Sequence, residues 1–168
     1  MIEIGLQLFS KMNQNKWTAM LLPILGGWFV GRSTAKHVKM YRRANQPKFK
    51  PPAWAFGPAW TILYALMGYA AHLAYRADPA LVTAKGQLGA KLYLAQLAVN
   101  YMWMPLFFRY KMSKLALVNI GAVTGTVIWL SKTWSSIAPM ASKLLLPYIG
   151  WLGFAGYLVS CTFRKGQR

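Results

Sequence analysis

PPAWAFGPAWTILYALMGYAAHLAY, residues Pro51–Tyr75, runs for 25 residues without a Lys, Arg, Asp or Glu. A helix that crosses the hydrocarbon core of a bilayer needs about 20 mostly apolar residues, so this block is long enough to span alone. Its large side chains keep helical spacing: Phe56, Trp60, Tyr64 and Met67 follow steps of four, four and three and share one face. Outward from it, charged residues cut the rest of the chain into similar blocks. Trp17–Gly31 holds 15 residues, Leu92–Phe108 and Leu115–Ser131 hold 17 each, and Leu144–Phe163 holds 20. The last also spans unaided. The third block reaches full length if Lys91 snorkels to the interface, and the fourth does so through Lys114 and Lys132. The first extends to about Ala35, with Arg32 at the membrane surface. The expected architecture is an all-α integral membrane protein, a bundle of five transmembrane helices over about 17–35, 53–75, 88–108, 114–133 and 144–163. A surface segment, 1–16, precedes the bundle and a basic tail, 164–168, follows it.

Composition agrees. Of 168 residues, 56% are hydrophobic and 13% charged, and 20 Lys+Arg face only 2 Asp+Glu, for a net charge of +18. Soluble domains carry roughly 25% charged residues, and too little polar sequence remains here to cover five buried helices. A balance this basic suits nucleic acid or an anionic membrane, and cations lying between spanning blocks favour the membrane. With Glu3 and Asp78 as the two carboxylates, paired-carboxylate hydrolysis and a carboxylate metal cage are excluded. Cys161 stands alone, and His37 and His72 have no His at helical spacing, so no metal site is expected. The first 16 residues, with Glu3 and two lysines, fit a cleavable signal poorly and suggest a short amphipathic surface segment.

Loop charges orient the bundle. Lys11, Lys16, Arg76, Lys85, Lys91, Lys132 and Lys143 give seven cations on the N-terminal side. The opposite side has thirteen: Arg32, Lys36, Lys39, Arg42, Arg43, Lys48 and Lys50 in the first loop, then Arg109, Lys111, Lys114, Arg164, Lys165 and Arg168. The positive-inside bias places the first loop and the C-terminus in the cytoplasm. Trp17, Trp54, Tyr75, Tyr110, Trp134 and Tyr148 fall near block ends, where interfacial belts are expected. Pro23 and Pro58 lie inside expected helices and suggest bends. Gly27-x-x-x-Gly31 and Gly121-x-x-x-Gly125 match the small-residue pattern of close helix contact, within one chain or between two.

Candidate site residues lie on three helices. Beside the Phe56–Trp60–Tyr64 face, Asn100 and Trp103 are three apart on the third helix, and Trp151, Ala155 and Leu158 share a face of the fifth. Such faces serve helix packing or lipid contact, or they line a pocket for a flat, largely hydrophobic ligand. An amide at membrane depth is costly unless paired or set in a cavity, which singles out Asn100 and raises the same question for Asn119.

The stretch Pro51-Pro52-x-Trp54-x-Phe56-x-Pro58-x-Trp60-Thr61-x-Leu63-Tyr64-x-x-Met67-Gly68-Tyr69 resembles the signature of the translocator protein family, the tryptophan-rich sensory proteins or peripheral benzodiazepine receptors. Three more motifs are similar to that family's and come in its order. They are Pro23-x-Leu25-Gly26-Gly27, Gln96-Leu97-Ala98-x-Asn100-x-x-Trp103-x-Pro105-x-Phe107-Phe108, and Pro147-Tyr148-x-x-Trp151-x-x-Phe154-Ala155. The resemblance implies a five-helix bundle that binds porphyrins such as protoporphyrin and haem, cholesterol-type sterols and benzodiazepine-type drugs, and takes part in their transport or sensing. It implies a receptor without a required cofactor, a homodimer, and a place in the mitochondrial outer membrane with the C-terminus in the cytosol. There the voltage-dependent anion channel is an expected partner, beside lipid, and nucleic acid is not. Carried onto matching positions, the pocket wall comprises Gly31, Thr34, Phe56, Gly57, Ala59, Trp60, Asn100, Trp103, Leu115, Trp151, Ala155 and Leu158. The alternatives are an enzyme degrading porphyrin in light through Trp60 and Trp151, which match tryptophans so linked in some bacterial relatives, and a regulatory scaffold. Three positions depart from the family pattern. Ser160 stands where the sterol motif has a Tyr before the final Arg, here Arg164; Lys91-x-x-x-Ala95 replaces a small-residue pair; and Asn119 stands where relatives can carry an acid.

Overall fold

The computed structural model describes residues 2–41, 52, 54–110 and 112–165, and among these the fold is helical with no strand. Most of the basic first loop, with Arg42, Arg43, Lys48 and Lys50, and the side chains of Lys39 and of the basic tail lie outside what is described. The helices are α1 (Ile2–Asn13), α2 (Lys16–Tyr41), α3 (Phe56–Ala77), α4 (Ala84–Met104), α5 (Ser113–Ser135), α6 (Pro139–Leu144) and α7 (Leu146–Lys165). A π turn, Pro105–Arg109, closes α4. With 26, 22 and 21 residues, α2, α3 and α4 are about 32–39 Å long at 1.5 Å per residue, against a hydrocarbon core of about 30 Å. By composition alone, Lys114–Ser135 and Pro139–Cys161 are long and apolar enough to cross. The helices before them are diluted by Trp, Tyr, Gly and Pro, residues that membrane helices use for anchoring and packing but that lower mean hydropathy.

The first segment does more than cover a surface. α1 turns Phe9 and Asn13 fully inward. The Phe9 ring meets Tyr93 of α4 edge-on at 5.6 Å, and His72 Nδ1 of α3 donates to the Asn13 carbonyl at 2.8 Å. Neither expected proline bend interrupts its helix. Pro58 is the third residue of α3, where its missing N–H has no partner to lose. Pro23 lies inside α2 and leaves the Ala19 carbonyl, four residues back, without a helical donor. Gly68 of α3 packs onto that same carbonyl so closely that a Cβ would overlap it. The two helices can cross here because neither presents a side chain.

Most of the core lies between α3, α4, α5 and α7, around Met67, Tyr93, Leu130, Trp134, Leu145 and Tyr148. Trp134 and Tyr148, expected in the interfacial belt, are 1% exposed. Trp134 stacks on Tyr93 at 6.0 Å and lies over Gly89, where a Cβ would clash. Trp17, Trp54 and Tyr110 do remain exposed. Cations sit over three exposed rings: Lys16 over Trp17, Arg32 over Trp28, and Arg109 over Tyr110.

One of the two acids fixes the α3–α4 connection. The Asp78 carboxylate accepts from Val82 N–H (2.9 Å), Thr83 N–H (3.0 Å) and the Thr83 hydroxyl (2.7 Å). Thr83 in turn caps α4 by accepting from Gly86 N–H at 2.9 Å. Gly86 lies against the carboxylate so closely that a Cβ would collide with it. Leu81, inside this loop, has φ +51°, a left-handed conformation rare for a non-glycine residue. Burial of Leu81 and these bonds hold it there.

Candidate ligand-binding site

The four-residue step of α3 and the three- and four-residue steps of α7 bring their aromatic faces together. Trp60 lies 5.5 Å from Tyr64, 6.3 Å from Tyr148 and 6.2 Å from Trp151, ring centre to ring centre. The Trp60–Trp151 planes stand at 83°, so the positive edge of one indole meets the negative face of the other. Phe56 meets Trp151 at 5.9 Å and Phe154 meets it at 5.7 Å.

This aromatic wall has an open space on each side. Toward the interior, Trp60, Asn100, Trp103, Asn119, Ile120, Val123, Leu152 and Ala155 enclose a cavity of about 10 Å³, the room of one water molecule. Toward the outside, Ala59, Ile62, Leu63, Leu66, Pro147, Gly150, Trp151 and Phe154 form an apolar groove of about 420 Å³ between α3 and α7. The Trp60–Trp151 contact stands between the two spaces.

Beneath the wall runs a chain of buried polar groups. Asn100 Nδ2 donates to the Tyr148 hydroxyl, the hydroxyl donates to Gln96 Oε1 at 3.2 Å, and Gln96 Nε2 donates to the Met67 sulfur at 3.0 Å. Pairing of this kind is what allows amides at such depth. The Asn100 amide, singled out above, therefore spends a donor on α7. Asn119 donates from Nδ2 to the Val99 carbonyl at 3.0 Å, while its Oδ1 is buried with no partner. At the end of α4 the π turn, with Tyr110 N–H bonded to the Pro105 carbonyl at 3.0 Å, carries Phe107 over Trp103 in a parallel stack at 5.5 Å. π turns recur at functional sites, and this one fixes an indole of the inner cavity.

Of the expected pocket residues, Trp60, Asn100, Trp103 and Ala155 meet at the inner cavity. Ala59 and Trp151 meet at the groove, and Phe56 joins them through its ring contact with Trp151. Gly31 and Gly57 have open space where a Cβ would stand. Thr34 is buried, and its hydroxyl donates to the Val30 carbonyl at 2.9 Å. Leu115 is 46% exposed on α5, and it and the half-buried Leu158 line neither space. Sequence gave no sign of Ile120, Val123 and Leu152, three apolar residues among many. Asn119 carried a sign, an amide in an uncharged block.

Comparison with known proteins agrees with this architecture. Residues 19–164 match the profile of the TspO/MBR family. The chain is 54% identical over 157 residues to a translocator protein homolog of Schizosaccharomyces pombe, covering 94% of this chain and 95% of the relative. It is 35% identical over 149 residues to the translocator protein of Homo sapiens, covering 88% and 87%. It is 37% identical over 152 residues to the tryptophan-rich protein TspO of Archaeoglobus fulgidus, covering 88% and 94%. The match runs from the first turn of α2 to the last turn of α7, so the chain belongs to the TspO/MBR family of membrane proteins.

Proposed function

We propose that this protein is a membrane receptor that takes porphyrins, cholesterol-type sterols or benzodiazepine-type molecules from the bilayer into the helix bundle and serves their transport or sensing. The observation that carries it is the Trp60–Trp151 pair, which stands between a lipid-side groove and an enclosed cavity with an amide-bearing wall. Flat apolar molecules gain both area burial and ring stacking at such a place. Five spans are part of the proposal: α2, α3, α4, α5 and the α6–α7 pair. Cation–aromatic pairs at Lys16–Trp17, Arg32–Trp28 and Arg109–Tyr110 support interfaces at both ends. The loop charges support a cytosolic C-terminus, and an outer mitochondrial setting and a homodimer complete the reading on the family pattern.

The test is a titration with protoporphyrin in detergent, followed by the shift of the porphyrin absorbance band. Substituting Trp60→Ala, Trp103→Ala and Trp151→Ala together abolishes saturable binding in a variant that still unfolds cooperatively. Unchanged affinity rejects the pocket. The Trp60–Trp151 contact also favours a second reading, light-driven porphyrin breakdown. Illumination of the complex that alters the porphyrin spectrum in the native protein, and not in Trp60→Phe, supports that activity; an unaltered spectrum removes it.

A further inference from the structure

Asn119 lines the inner cavity with one half of its amide bonded and the other not. It lies on α5 and is 9% exposed. Its Nδ2 donates to the Val99 carbonyl of α4 at 3.0 Å, which fixes the amide, since the reverse orientation would set oxygen against oxygen. The bond leaves Oδ1 on the other side, buried and without a partner, in the wall that Asn119 shares with Trp60, Asn100 and Trp103. The Asn100 amide beside it has given a donor to the Tyr148 hydroxyl. A buried acceptor with no partner in the protein is costly, and a ligand that supplies the missing donor recovers that cost on binding.

We propose that Asn119 Oδ1 is the specificity-determining acceptor of the cavity, selecting uncharged flat ligands that present an O–H or N–H, of which a sterol hydroxyl is the simplest case. The proposal rests on the bundle interior being the binding site and names what that site prefers. An acceptor repels a carboxylate, and the residues lining this cavity include no cation. Acidic substituents of a porphyrin therefore stay outside it.

The test compares dehydroergosterol with its 3-O-methyl ether, which keeps the ring system and loses the donor. Binding to the full-length protein is read by energy transfer from tryptophan. The native protein binds the alcohol about three- to tenfold more tightly than the ether, the range of one net hydrogen bond, and Asn119→Leu binds both equally. Asn119→Ala serves in its place if the leucine variant fails to fold. A native protein that binds both sterols equally overturns the assignment and leaves the pocket standing. So does a variant that keeps the preference, or one that weakens both sterols by the same factor; the latter makes Asn119 only a tie between α4 and α5. A native protein that binds neither sterol and no protoporphyrin overturns the receptor reading itself.

Discussion

The two ends of the bundle are packed to different standards. At the end closed by the α3–α4 loop, glycine is obligatory: Gly68 lies on the Ala19 carbonyl, Gly86 on the Asp78 carboxylate and Gly89 on the Trp134 indole, and a methyl at any of them would collide. At the end where α3 begins, and along the first half of α7, a methyl added to Gly57, Gly150 or Gly153 meets nothing within 4 Å. The first region is a close-packed interior, in which a single extra carbon must displace its neighbours. The second leaves a groove of about 420 Å³. Close packing marks the surroundings of the α3–α4 loop, and open space lies along the α3–α7 groove.

Substitutions can break or sharpen this contrast. Trp134→Ala removes the largest fully buried side chain and is expected to cost about 3–5 kcal/mol, read as a large fall in thermal midpoint by circular dichroism in detergent. Gly68→Ala, one carbon against a backbone carbonyl, is expected to cost about 1–3 kcal/mol. The same assay on Gly153→Ala should show a change within about 0.5 kcal/mol. Equal effects at Gly68 and Gly153 would erase the distinction between the ends.

Asp78 gives the tight end a pH dependence. Burial alone raises its carboxyl pKa, but the bonds from the Thr83 side chain, the Thr83 N–H and the Val82 N–H outweigh it and hold the group below the ordinary aspartate value. A carboxyl that is more acidic folded than unfolded stabilises the fold above the unfolded pKa, about 3.9. That contribution disappears as pH falls through the lowered folded value. The thermal midpoint of the native protein should therefore decline below about pH 4. Asp78→Asn should start lower and lack this part of the decline. A parallel pH profile for the two proteins would show that the carboxylate contributes nothing to the loop.

The smallest effect on stability belongs to Gly150→Leu. Open space surrounds its missing Cβ, and leucine is the better helix former by several tenths of a kcal/mol. The variant should melt at or slightly above the native midpoint while its side chain fills the groove and weakens protoporphyrin binding. Weakened binding without lost stability separates the site from the scaffold. Full binding by a stable variant would move the site away from the α3–α7 groove.

Much of this contrast was legible in the sequence, and the rest was hidden for definite reasons. Each uncharged block falls largely on one long helix of the structure, because an uncharged block of the right length has few other places to go. The step of four from Phe56 to Trp60 to Tyr64 foretold the aromatic wall, and two of the four motifs that carried the family resemblance contribute to it. Block ends, however, say where a helix meets the interface and not which way a side chain turns. Trp134 and Tyr148 were therefore assigned to a belt when their helix faces point inward. Pro23 could not be judged without Gly68, its partner some forty-five residues away, because the bare carbonyl and the bare glycine explain each other. Leu115 matched a pocket position yet faces outward on α5, and the size of the cavity depends on how four helices close together.

Mass spectrometry of the protein released intact from its native membrane tests the central claim most directly. The account predicts one flat, largely apolar molecule of porphyrin or sterol type bound in fixed proportion, and its loss from the Trp60→Ala, Trp103→Ala, Trp151→Ala variant. A native protein that carries no such molecule and binds neither protoporphyrin nor sterol when they are added, or a triple variant that retains the ligand in full, would contradict it.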